Sequence, residues 1–77
     1  MTEKAFENPN WRPLEDLVGP SECRDFMWMW REGGIEFYKH ICTRRYLLLD
    51  SAGRCYRQCV DGLRQTDVQV ELKRVKE

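Results

Sequence analysis

Between Phe26 and Arg57, apolar and polar residues alternate with a period of two, the pattern of strands whose faces differ. Two turn signals divide the run. Gly33-Gly34 suits a two-residue hairpin, because a primed turn needs positive φ at its centre. That hairpin sets Glu32 against Ile35, Arg31 against Glu36, Trp30 against Phe37 and Met29 against Tyr38. Asp50-Ser51-Ala52-Gly53 suits a short turn with a glycine bulge. It places Asp50 opposite Arg54, Leu48 opposite Tyr56 and Leu47 opposite Arg57. Ile41 to Arg44 holds no Gly, Pro or Asn; a connection of two or four residues there brings His40 beside Arg45 and Phe37 beside Leu48.

This register sorts the side chains onto two faces. Phe26, Trp28, Trp30, Ile35, Phe37, Ile41, Tyr46, Leu48 and Tyr56 fall on one, which is expected to be the core. Met27, Met29, Arg31, Glu36, Tyr38, His40, Arg45, Leu47, Leu49, Cys55 and Arg57 fall on the other, which is amphipathic.

The flanks read as helices. Before the strands, Trp11, Leu14, Leu17 and Val18 form an apolar stripe at helical spacing. Asn10 is the expected cap, Pro13 fits the first turn, and Gly19-Pro20 ends the helix or passes into one further turn from Ser21. After the strands, Asp61-Gly62 marks a turn. From Thr66 onward two patterns compete: alternating Val68, Val70 and Leu72 suit a fifth strand, whereas Val68, Leu72 and Val75 recur as on a helix. A capping box from Thr66 to Gln69, early acids and late bases favour the helix. The expected fold is α+β. A four-stranded antiparallel meander carries a short N-terminal helix and a C-terminal helix, both packed on one face. The 77 residues form a single domain, with a frayed tail over 1–9.

Composition narrows the chemistry. The chain is 42% hydrophobic and 12% aromatic, which suits a folded domain rather than a disordered one. Net charge is zero, yet residues 1–37 carry four positive and eight negative charges and residues 38–77 carry nine and five. Neither an export signal nor a membrane-length apolar run is visible, so a cytoplasmic protein without membrane contact is expected. The four cysteines, Cys23, Cys42, Cys55 and Cys59, lack the two chelating pairs of a zinc site and read as small, mostly buried thiols. No cofactor is expected. His40 is the single histidine, and a Cys42–His40 pair two positions apart on a strand sits about 6.5–7 Å apart, too far for a direct hydrogen bond. With no catalytic or phosphate-binding motif present, the chain is expected not to be an enzyme.

Binding is the better expectation. Tyr38, His40, Arg45 and Arg57, set among Met27, Met29, Leu47 and Leu49, form the candidate surface. Met, Tyr and Arg are enriched at interfaces, which favours a protein partner or homodimer. Cations interleaved with aromatics make single-stranded nucleic acid or another anion the alternative. A plainer account has one of the helices, or the N-terminal tail, cover this face within the same molecule.

Overall fold

The computed structural model describes residues 8–77. Helix α1 (Arg12–Cys23) leads into β1 (Phe26–Glu32), β2 (Ile35–His40), β3 (Tyr46–Asp50), β4 (Cys55–Cys59) and β5 (Gly62–Thr66), and α2 (Val68–Lys76) closes the chain. The strands make one antiparallel sheet in the order β1-β2-β3-β4-β5. The expected α+β meander is therefore present, with five strands instead of four. No helix among the described residues is long and apolar enough to cross a membrane. Residues 1–7 of the expected tail lie outside the described residues. Asn8 is tied to the sheet, its carbonyl accepting from Arg31 Nη2 at 2.9 Å.

The turns form where their chemistry places them. Gly33 and Gly34 take φ of 58° and 78°, as a primed hairpin turn requires. Asp50 shapes the third turn with its side chain: Oδ1 accepts from Ala52 N at 3.0 Å and Arg54 N at 2.9 Å. Ile41 to Arg44 form a four-residue connection, closed by His40 N donating to the Arg45 carbonyl at 2.8 Å. In register, Trp30 faces Phe37, Phe37 faces Leu48 and Leu48 faces Tyr56, as expected.

Two departures reshape the sheet. In β1 the register shifts between Trp28 and Trp30, so Trp28 rather than Met29 lies opposite Tyr38. Met29 is the extra residue of a bulge. The two tryptophans, which a regular strand would keep on one side, thus go to opposite faces. Between β3 and β4, pairing is confined to Leu48 with Tyr56 and Leu49 with Cys55. The expected Leu47–Arg57 pair does not form. Arg57 instead bonds Glu71 of α2 through Nε (3.0 Å) and Nη2, and the two strands part beyond Tyr56.

Both helices lie on one face, and it is the face expected to be open. Leu14 of α1 and Val75 of α2 pack with Phe26, Tyr38, Leu47, Leu49 and Cys55, and most of this cluster is completely shut off from solvent. Helix α1 breaks at Gly19 (φ 87°) and makes one more turn from Pro20. The cap of α2 is Asp67, one residue after the expected Thr66; its carboxylate accepts from Gln69 N and Val70 N. Lys76 Nζ meets Glu22 at 2.6 Å and links the helices.

Candidate interaction groove

The uncovered face carries the aromatic cluster that the alternation had marked as core. Ile35, Phe37 and Leu48 are buried here, and among the described residues the hydrophobic side chains packed alongside them, Met29, Tyr46 and Tyr56, all come from strands. Trp30 stacks on Phe37, with centroids 4.7 Å apart and planes at 17°, and leans toward Tyr46 at 5.8 Å. Trp30 is nonetheless 39% exposed. Lys39 Nζ lies 5.8 Å from the centre of the Tyr46 ring, a cation–π position on the rim.

A pocket of about 300 Å³ is lined by Trp30, Phe37, Tyr46, Leu48 and Gln58. Gln58, on β4, also lines the hollow on each side, so the three form one groove running over the sheet. At one end Glu32, Ile35 and Leu63 line it, with Trp30 Nε1 donating to Glu32 at 3.3 Å. At the other end Tyr46, Leu48 and Tyr56 meet Arg57 and Arg74.

The two guanidiniums share one carboxylate. Arg57 bonds Glu71 Oε2, and Arg74 bonds Oε1 through Nε at 3.1 Å and Nη2 at 3.0 Å. Glu71 is 1% exposed, whereas the side chains of Arg57 and Arg74 are 48% and 37% exposed. Among the described residues this leaves one positive charge uncompensated at that end of the groove. Arg57 is held protonated more firmly than usual by its bond to Glu71. Asp50, on the same face, is fully engaged: Oδ2 accepts from Arg54 Nε at 2.8 Å and Tyr56 Oη at 2.9 Å. Burial pushes the Asp50 carboxyl up, but its bonds from Arg54, Tyr56 and Ala52 together outweigh that and hold it below the usual carboxylate range.

The residues of the candidate surface do not come together on open ground. Tyr38, Leu47 and Leu49 are buried in the cluster that the helices close and His40 is buried beside Phe26, which corrects the expectation of an open face there. Tyr38 Oη donates to the Asn10 carbonyl, and burial, followed by the charge of Glu36, raises its pKa. His40 sits edge-on against Phe26 and accepts from Thr43 N. Arg45 is exposed and reaches the Arg74 carbonyl at 3.5 Å. Met27 is exposed, and Met29 packs beneath the groove. Arg57 alone of the eight lines the groove. The expected core moves as well: Phe26 and Trp28 join the helix-covered side, and Ile41 is exposed.

The covered face has polar devices of its own. Trp28 Nε1 donates to Glu36 Oε1 at 2.7 Å, while Arg31 bonds the other oxygen at 2.6 Å. The thiols are all free; Cys42 is exposed and Cys55 buried, where desolvation, followed by the charge of Glu71, pushes Cys55 up to about 11. Among the described residues no group of three or more His, Cys, Asp or Glu side chains is placed to hold a metal ion. Comparison of this chain with known protein families, with curated proteins and with solved structures finds no match.

Proposed function

We propose that this chain is a small protein-interaction module whose partner docks into the groove on the uncovered sheet face. The observation that carries the reading is Trp30. It is a large ring held flat by Phe37, ordered before any partner arrives, and open to solvent over a continuous apolar floor. Rigid aromatic anchors of this kind dominate interface energetics, because they bring contact area at little entropic cost. An apolar hollow rimmed by polar groups is also the usual form of a docking site.

Selection of displayed peptides on the folded chain, with counter-selection on a Trp30→Ala, Tyr46→Ser variant, tests this. Enriched peptides that lose tenfold or more in affinity on the variant support the groove. No enrichment, or equal binding to both proteins, contradicts it. A second reading, single-stranded nucleic acid, is favoured by Lys39 over Tyr46 beside exposed Trp30, since bases stack on such rings. Titration with oligothymidylate at two salt concentrations separates the two, because phosphate contacts weaken steeply with salt.

A further inference from the structure

Resting on the groove as docking site, we infer that its occupant is an extended acidic segment of a partner protein. In that segment an apolar side chain is followed closely by carboxylates. The apolar residue fills the hollow between Trp30, Tyr46 and Gln58, and the carboxylates meet Arg57 and Arg74.

The charge distribution along the groove carries this inference. The central hollow of about 300 Å³ is walled almost wholly by rings and aliphatic carbon, with the Gln58 amide as its polar group. It has the volume for one or two side chains. The adjoining hollow shares Tyr46, Leu48 and Gln58 with it and adds the two guanidiniums. Among the described residues their counter-ion is Glu71, which is shut off from solvent, so it neutralises one of the two charges and stays engaged with both guanidiniums. Arginine favours flat, two-point pairing with a carboxylate, and these two side chains are already oriented by Glu71. The opposite end of the groove holds Glu32. The field along the groove therefore runs from negative to positive and selects one direction for a ligand with an acidic end. Gln58, exposed between the two subsites, offers both a donor and an acceptor to an extended main chain.

The test uses the full chain and blocked five-residue peptides carrying Leu, Phe, Tyr, Trp or Pro followed by Asp-Asp, each beside its Asn-Asn counterpart. Titration calorimetry should show at least one acidic peptide binding tenfold or more tighter than its amide counterpart. Gln58→Glu places a carboxylate in the groove at an exposed position and should weaken that peptide at least tenfold; Gln58→Lys should tighten it. The thermal transitions of both variants report that the fold is intact. Acidic and amide peptides binding within twofold of each other, or indifference to both Gln58 variants, overturns the inference. So does failure of the whole acidic panel, or tighter binding of an eight-residue oligothymidylate. If the selection described above instead yields neutral or basic peptides that depend on Trp30, the groove stands as a docking site and the acidic ligand falls.

Discussion

The two faces of this sheet have nearly the same apolar content and do opposite things. The Tyr38–Leu47–Leu49 face takes both helices and becomes a dry core, its polar atoms each given a partner: Tyr38 bonds the Asn10 carbonyl, and Glu36 takes Trp28 and Arg31. Among the described residues the Phe37–Leu48–Tyr56 face takes no hydrophobic side chain from a helix and is shielded by its own rings, Trp30 over Phe37 and Tyr46 beside them. What separates them is the covering, and not the hydrophobicity of the strands. A face closed by helices stabilises the fold; one closed only by side chains still presents an aromatic surface.

Substitutions across the two faces sharpen that contrast. Leu49→Ala, in the covered core, should cost about 2–5 kcal/mol in denaturant unfolding, as large-to-small changes at fully buried sites do. A cost close to zero would mean that the helices do not close this face. At the border between the faces, Arg57→Gln and Arg74→Gln should each lower the melting temperature modestly. Together they should lower it by more than the sum, because only the double variant leaves Glu71 buried without a cation. Strict additivity would show that Glu71 does not bind both.

Weaker effects are expected on the open side. Asp50 has a depressed folded-state pKa, so its contribution is present above the ordinary aspartate value of about 4 and is lost as pH falls below it. Thermal unfolding of the parent should therefore fall more steeply below pH 4 than that of Asp50→Asn; parallel curves would contradict the bonded turn. Trp30→Ala should cost about 1–3 kcal/mol, less than Leu49→Ala because the partly exposed ring leaves no closed cavity, while removing partner binding. A loss as large as that of Leu49→Ala would make Trp30 a core residue and the groove a consequence of packing.

Much of this architecture is legible in the residues. Gly33-Gly34 and Asp50 to Gly53 determine two hairpins, and the short connection over Ile41 to Arg44 pairs Phe37 with Leu48. The choice of covered face is not legible, because Leu47-Leu48-Leu49 gives leucine to both sides and a helical stripe does not say which side it will meet. The Met29 bulge carries no Gly or Pro to announce it, yet it decides where Trp28 and Trp30 point. Strand β5 was hidden because Leu63 is the sole large apolar residue in Gly62–Thr66; its register comes from the Val60-Asp61 turn, with Cys59 opposite Gly62. Of the groove, Arg57 was visible as a candidate. Arg74 stands among the bases late in α2, and nothing local to it signals that Glu71 joins it to Arg57.

The most direct test is hydrogen exchange at the tryptophan indoles, followed by NMR with each resonance assigned by substitution. The Trp28 Nε1–H, bonded to buried Glu36, should be strongly protected, and that of Trp30, over the open groove, should exchange quickly. Protection of Trp30 with rapid exchange at Trp28 would place the helices on the other face and remove the proposed groove.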